Sequence, residues 1–405
     1  MNPSEQTIIA QCTPQGNGAI ALIRLSGTQA IHIANHLAKL PGQHSLLDKP
    51  SHTVHYGQII DRELQLVDQV MFIIMHAPRT FTGEQVVEIT CHNNPFIIEK
   101  IISLGISFGA RLAQKGEFAQ RAFLNNKIDL MQAEAINSLI HAHTEQALKK
   151  SLAQLTGHLS HWSAEIEKKL LKCLAWCEAS FEFIDEEIDF APQIKTELES
   201  IIQAITQAQQ SNNIAQQIKE GVRVAIIGSV NAGKSSLFNA LLKKERAIVT
   251  PIAGTTRDVI EAGIYTNQHY LTLVDTAGLR ETQDQIESLG IQRSFEQANL
   301  ADIILLTFDA SRKITPGELK VYTQIFHKFK SKIILVANKN DQPKLLKLPT
   351  EFLDLANVST KSQAGLQELE ERVKIKINQI LSQDIAPFLL NQRQFNVLTS
   401  VATMC

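Results

Sequence analysis

Residues 222–240 read VRVAIIGSVNAGKSSLFNA, and this stretch decides the fold. Val222–Ile227 is largely apolar and runs straight into Gly228-Ser229-Val230-Asn231-Ala232-Gly233-Lys234-Ser235. That is the G-x-x-x-x-G-K-[ST] pattern in the strand–loop–helix setting that gives it meaning. The glycines allow the backbone N–H groups of Asn231, Ala232, Gly233, Lys234, Ser235 and Ser236 to curl around a polyphosphate. Lys234 brings a point charge to the β- and γ-phosphates, and the Ser235 hydroxyl reaches a Mg²⁺ ion. The helix that opens there turns its positive end toward the same anion. A glycine-rich turn with an incidental lysine is the competing reading, and the apolar strand ahead of it argues against that.

A second apolar run, Ile333–Ala337, is fit for a buried parallel strand and ends in Asn338-Lys339-Asn340-Asp341, the N-K-x-D pattern. A carboxylate at Asp341 accepts from guanine N1–H and from the 2-amino group. Adenine offers an acceptor and no amino group there, which would leave Asp341 unsatisfied. Sites built on such bonds discriminate by on the order of 10⁴ or more. Lys339 is expected to lie along the base. Ser359-Thr360-Lys361, after Leu353–Val358, stands where a backbone contact to the guanine oxygen is expected. An ATPase or small-molecule kinase does not account for this spacing behind a phosphate loop.

Between the two motifs lie candidate switches. Leu271–Val274 reads as a strand followed by Asp275-Thr276-Ala277-Gly278, with Asp275 placed to hold a Mg²⁺-bound water and the Gly278 N–H to meet the γ-phosphate. Upstream, Thr250-Pro251-Ile252-Ala253 leads into Gly254-Thr255-Thr256-Arg257-Asp258, where Thr256 is the better direct Mg²⁺ ligand. Many such enzymes orient the attacking water with a Gln after the D-T-A-G run, but Leu279 occupies that position and cannot hydrogen-bond. Arg257 and Arg280 are nearby cations, equally readable as solvated loop arginines. Asn231 suggests another source of positive charge, a monovalent cation held by its side-chain carbonyl. The whole region predicts a GTPase domain of about 160 residues, a usual domain size.

With 405 residues, two or three domains are expected. A net charge of −2 gives no global field toward nucleic acid or membrane. Five cysteines without paired spacing suggest a reducing compartment. Cys173 and Cys177, one helical turn apart, read as small apolar packers rather than metal ligands. No apolar run reaches transmembrane length and the start lacks a signal peptide, so a cytoplasmic protein without a membrane partner is expected.

The region 1–122 alternates short elements. Ile8–Ala10, Ala19–Leu25, Val70–Met75 and Val86–Cys91 read as strands, and Pro95–Leu104 is apolar at helical spacing. Arg24 lies at the end of an apolar strand, needs a partner, and has Glu84 as a candidate; a structural ion pair and a ligand site are equally open. From 123 to 218 the pattern is helical. Leu148, Leu152, Leu155, Leu159, Trp162, Ile166 and Leu170 form one long stripe, core or interface, with Lys149, Lys150, Lys168, Lys169 and Lys172 as its solvated face. Asp185, Glu186, Glu187 and Asp189 read as a charged helix end or loop rather than a cation site, and Gln203–Gln217 as a polar helix entering the GTPase strand. The GTPase region, 219–380, is inserted in or appended to this helical part, with 381–405 its remnant.

Six segments carry a resemblance: Thr7–Gly27 (TIIAQCTPQGNGAIALIRLSG), Ala77–Pro95 (APRTFTGEQVVEITCHNNP), Lys115–Ala135 (KGEFAQRAFLNNKIDLMQAEA), Gly228–Ala240, Ile252–Asp258 and Asp275–Arg280 (DTAGLR). Over nearly its full length the chain resembles the bacterial tRNA modification GTPase family MnmE, also called TrmE. The resemblance implies an α/β multidomain fold. It comprises an N-terminal α+β folate-binding-like domain that forms a homodimer, a mainly helical central domain, and an inserted P-loop GTPase domain with a doubly wound, mostly parallel sheet. It implies a K⁺-stimulated GTP hydrolase. With the FAD-dependent partner MnmG, in a heterotetramer or larger complex, the family adds an aminomethyl or carboxymethylaminomethyl group at C5 of the wobble uridine (U34) of certain tRNAs. A 5-formyl- or methylene-tetrahydrofolate supplies the carbon. Carried over by motif, Arg24, Glu84 and Lys127 contact folate; Asn231, Thr250, Ile252 and Thr255 hold K⁺; Ser235 and Thr256 hold Mg²⁺; and Glu287 orients the attacking water through a bridging water. By itself Glu287 reads as a helix-start carboxylate.

The sequence departs from the family in three places. His92-Asn93-Asn94-Pro95 stands where His-Gly-Gly-Pro is usual, Val230 replaces a proline, and Cys405 has no Gly-Lys after it to complete a Cys-x-Gly-Lys ending. A tail that lacks that motif implies an alternative, a GTP-binding switch or interaction protein that hydrolyses GTP without modifying tRNA. A ribosome-assembly GTPase is disfavoured, since no KH-like module or strongly basic tail is present.

Overall fold

The computed structural model describes residues 6–182, 189–212, 214–244, 260–266, 269–275, 295–382 and 386–405. They fall into two compact units, Met1–Glu134 and Ala135–Cys405.

The first unit is an α+β layer. Its strands are β1 (Ile8–Gln11), β2 (Ile20–Ser26), β3 (Ala38–Lys39), β4 (Thr53–Ile60), β5 (Leu66–Met75), β6 (Val86–His92) and β7 (Arg111–Leu112). They form one sheet in the order β3-β4-β5-β6-β2-β1-β7, antiparallel except for the β1–β7 pair. Helices α1 (Ala30–Leu37) and α2 (Pro95–Ser107) pack on one face. Strand alternation sends Ala21, Ile23 and Leu25, with Val87, Ile89 and Cys91 and with Val70, Phe72 and Ile74, into that core. The same alternation turns Leu22 and Arg24 to the opposite face. α3 (Glu117–Leu124) follows β7. The Asn93-Asn94 departure costs no backbone strain: neither residue has positive φ, and Asn94 caps α2 by accepting from the Phe96 N–H at 2.9 Å.

Helices α4 (Leu130–Ile140), α5 (Glu145–Leu155), α6 (His158–Glu182), α7 (Ala191–Asn212) and α8 (Ala215–Glu220) follow. Three expectations differ from the structure. The leucine stripe is not one helix, because Gly157 at φ 93° breaks it between α5 and α6. Leu148 and Leu152 are half exposed, whereas Leu159 and Ile166 are buried. Lys150 is not part of a solvated face: it is buried and its Nζ donates to the Ala386 carbonyl. Lys149 keeps its expected place, paired with Glu145 one turn away at 2.6 Å. The expected polar helix Gln203–Gln217 is likewise two, α7 and α8. Asp185, Glu186 and Glu187 lie outside the described residues; Asp189 accepts from the Ala191 N–H at the start of α7.

The rest of the second unit is a six-stranded sheet. Its strands are β8 (Val222–Gly228), β9 (Ile260–Thr266), β10 (His269–Asp275), β11 (Ile303–Asp309), β12 (Ile333–Asn338) and β13 (Leu355–Asn357), in the order β13-β12-β11-β8-β10-β9. All pairs are parallel except β9–β10. Helices α9 (Lys234–Lys244), α10 (Pro316–Phe329) and α11 (Leu366–Leu381) accompany it. Two cores flank the sheet, one closed by Leu237, Leu369 and Val373 and the other by Tyr322, Ile325 and Phe352. β11 and β12 are buried at every residue, as strands covered on both faces must be. The strand order reverses at β8, and the crevice at the carboxyl ends of β8, β11 and β12 is where such sheets bind ligands. The last helix, α12 (Gln392–Met404), returns to α6 and α7, with Leu398 and Val401 against Ile166, Ile201 and Ile205. Among the described residues, no helix is long and apolar enough to cross a membrane, and no group of three His, Cys, Asp or Glu side chains is arranged to hold a metal.

Candidate nucleotide and folate sites

The phosphate loop joins β8 to α9. Asn231 takes the left-handed conformation at φ 66°, and Gly233 follows at φ 85°. Asparagine tolerates that region better than most residues. Glycine is required at 233 for a second reason: a Cβ there would collide with Asn338 Nδ2. Lys234 opens α9 with its Nζ 2.9 Å from the Gly228 carbonyl and 3.0 Å from that of Ser229. Ser235 and Ser236 lie in the first turn of the same helix, beside its unpaired N–H groups.

The N-K-x-D residues follow β12. Asn338 is fully buried and donates to the Ala232 carbonyl at 3.0 Å, bonding this motif to the phosphate loop. Lys339 has φ 64° and its ammonium is 2.7 Å from Asp309 Oδ2. Burial pushes the Asp309 carboxyl up, but Lys339 and Ser311 outweigh it and hold it below the usual range. Asp341 presents an exposed carboxylate whose Oδ1 accepts from Ser359 Oγ at 2.6 Å. That bond, with Lys361 nearby, holds the carboxyl below its ordinary value, so it is ionised at neutral pH. Asn340 N–H donates to the Val358 carbonyl at 3.1 Å and fixes the loop of Ser359, Thr360 and Lys361 beside Asp341. The expected base-reading residues are therefore together.

Thr250, Pro251, Ile252, Ala253, Gly254, Thr255, Thr256, Thr276, Ala277, Gly278 and Glu287 lie outside the described residues. Asp275 is described by its backbone, as the last residue of β10 opposite Ile226. The sequence reading missed Asp309, Arg312 and Tyr322. The signal was there for Asp309: a carboxylate ending the buried apolar run Ile303–Phe308 needs a cation, by the argument applied to Arg24.

In the first unit, Arg24, Glu84 and Lys127 all border the 77–85 loop, but the pairing differs from expectation. Arg24 bonds Glu88, at 2.6 Å, because β2 and β6 pair in a register that puts these residues opposite each other. Its guanidinium also lies 5.6 Å from the Phe81 ring centroid and 5.3 Å from that of Phe118. Glu84 belongs instead to Arg121 of α3, at 3.0 Å, and accepts from Ser26 Oγ at 2.7 Å. Arg121 also bonds Glu117, which Arg111 grips at 2.5 Å; that bond above all holds the Glu117 carboxyl down at about 2. Lys127 Nζ donates to the Pro78 carbonyl at 2.9 Å. The result is a polar loop with an aromatic flank, Phe81, that remains 40% exposed and available for a ring to stack on.

Two family models match separate stretches of the chain. The family described as "GTP-binding protein TrmE N-terminus" matches residues 7–127, and that described as "50S ribosome-binding GTPase" matches residues 223–339. The tRNA modification GTPase MnmE of Aquifex aeolicus is 40% identical over 385 residues, spanning 94% of this chain and 84% of that protein. The protein of the same name from Enterococcus faecalis is 41% identical over 380 residues, spanning 91% of this chain and 80% of its own. The Bacillus subtilis protein is 38% identical over 387 residues, spanning 91% and 82%.

Proposed function

The chain belongs to the MnmE family of tRNA modification GTPases, and from that premise we propose how its residues divide the work. It is a GTP hydrolase acting in tRNA modification. The observation that carries the nucleotide reading is the bond from Asn338 to the Ala232 carbonyl, which joins the proposed purine reader to the proposed phosphate cradle. Asp341, oriented by Ser359, selects guanine; Lys339 lies along the base; the N–H groups of 231–236 and the Lys234 ammonium hold the phosphates. The residues fit Mg²⁺, which GTPases use to neutralise charge on the β- and γ-phosphates: the Ser235 hydroxyl opens α9 beside Lys234, and Thr256 is the proposed second ligand.

With Leu279 unable to orient water, Glu287 is proposed for that task. Asn231, with Thr250, Ile252 and Thr255, is proposed to hold a K⁺ ion that supplies the charge an arginine finger supplies elsewhere. The left-handed backbone of Asn231 supports this reading, because it turns the loop at that residue. GTP turnover in K⁺ should exceed that in Na⁺ at matched ionic strength by roughly tenfold or more, a modest share of what an arginine finger gives. Equal rates in a phosphate-release assay would remove the cation from the mechanism.

For the first unit, the proposal is a tetrahydrofolate site built from Arg24, Glu84 and Lys127. Bonded to Arg121 and Ser26, Glu84 is fixed in place and keeps acceptor capacity for a pterin amine, since a carboxylate has about four lone-pair sites. The folate supplies a one-carbon unit. A homodimer is supported by the sheet face opposite α1 and α2, where Val54, Tyr56 and Met71 are exposed and Tyr56 pairs with Met71. With MnmG and tRNA, the product is the aminomethyl or carboxymethylaminomethyl uridine at U34, made in the cytoplasm.

The test is reconstitution with MnmG, unmodified tRNA, GTP and the folate, read by mass spectrometry of the nucleosides. Modified uridine that disappears when GTP is withheld is expected. GTP turnover with no modified uridine would sink the modification assignment and leave a nucleotide switch.

A further inference from the structure

β8 and β11 end side by side, with Gly228 opposite Thr307, and the chains part at Ser229. Three side chains then gather on that one residue, and two of them, Tyr322 and Arg312, belong to no motif. Its N–H donates to the Tyr322 hydroxyl at 2.6 Å, and that hydroxyl, on a tyrosine only 5% exposed, donates onward to the Thr307 carbonyl at 3.0 Å. A buried phenol thus serves as one more rung between strands that have begun to diverge. The Ser229 hydroxyl accepts from Arg312 Nη2 at 3.0 Å. The Ser229 carbonyl accepts from Lys234 Nζ at 3.0 Å. All three polar groups of Ser229 are engaged.

Arg312 is itself held. Its guanidinium grips Glu318 through Nη1 at 2.9 Å and Nη2 at 2.5 Å, and its Nε lies 3.8 Å from Asp309. Asp309 in turn binds Lys339 at 2.7 Å. A row of alternating charges, Lys339, Asp309, Arg312 and Glu318, therefore runs from the base-binding lysine to the first peptide of the phosphate loop.

We propose that Arg312 and Tyr322 are positioning residues for GTP. Through Ser229 they fix the peptide whose carbonyl aims Lys234 at the phosphates, and through Asp309 Arg312 ties that peptide to the lysine beside the guanine. Lys234 Nζ takes its position from two carbonyls, those of Gly228 and Ser229. A peptide free to tilt would move the ammonium with it, and displacement of a charge-assisted donor is felt directly in affinity.

A competing role is purely local. Glu318 also closes the capping box of α10 with Thr315, so Arg312 would then serve only that helix start. Titration with a fluorescent GTP analogue, alongside thermal melting, separates the two. Arg312→Ala and Ser229→Ala are each expected to raise the GTP Kd by about fivefold, the scale of one ordinary net hydrogen bond. The double variant should be no weaker than the worse single, because both remove the same bond. Arg312→Lys, which keeps the charge on one donor nitrogen but loses the guanidinium fork, should recover part of the affinity. If Arg312→Ala folds poorly, the Ser229→Ala and Arg312→Lys pair still decides. A GTP Kd within twofold of the parent for Ser229→Ala, or multiplicative losses in the double variant, would overturn the proposal and leave Arg312 as a helix cap.

Discussion

Lys234→Ala is expected to abolish tight GTP binding, with the Kd rising by at least about 10²-fold, as for loss of a desolvated charge partner. The substitution acts twice. It removes the ammonium proposed to meet the phosphates, and it leaves the Gly228 and Ser229 carbonyls, now 2.9 and 3.0 Å from Nζ, without that donor. Those carbonyls then turn a partial negative charge toward the phosphates. Fluorescent-nucleotide titration reads the result, and an unchanged affinity would refute the cradle. The fold should persist, because Lys234 lies at the helix start rather than in either core of the sheet.

Asp341→Asn should reverse base choice. In the proposed site the carboxylate accepts from two guanine donors; an asparagine offers one acceptor and turns an N–H₂ toward the 2-amino group. Affinity for GTP is expected to fall by on the order of 10²–10⁴, up to the discrimination reached by sites built to hydrogen-bond their substrate. Xanthosine triphosphate, which carries an oxygen where guanine has its amino group, should gain by a comparable factor. Ser359→Ala should be milder, since it removes only the 2.6 Å bond that orients the carboxylate. Calorimetry with GTP, ATP and the xanthosine nucleotide against both variants gives the answer; parental GTP affinity in Asp341→Asn would remove this residue from base recognition.

The nucleotide half was legible because its chemistry is local. A glycine pattern, a buried apolar run and a four-residue motif each announce themselves within one window, and the parallel order follows from strands apolar along their whole length. Pairings across the chain were not legible. Arg24 demanded a carboxylate, and two lay within reach in sequence terms; only the register of β2 against β6 chooses Glu88, while Glu84 goes to a helix 37 residues further on. β4 hides behind His55, Gly57 and Gln58, whose polarity blurs its alternation. Lys150 misleads for the opposite reason: on a helical wheel it reads as solvated, and a carbonyl more than two hundred residues later draws it inside. Arg312 and Tyr322 sit in no motif, and their proposed role depends on where two strands part.

The helix α5 has a topological consequence. Thr144, which caps its start, donates to the Ile218 carbonyl just before β8, while Lys150 and Gln154 donate to the carbonyls of Ala386 and Leu389 just beyond α11. The nucleotide-handling segment is therefore a guest whose way in and way out are moored to one short stem. A guest moored so closely at both ends can be excised by evolution or by the bench with only a small scar, and whatever leverage it generates is delivered to the host through that stem.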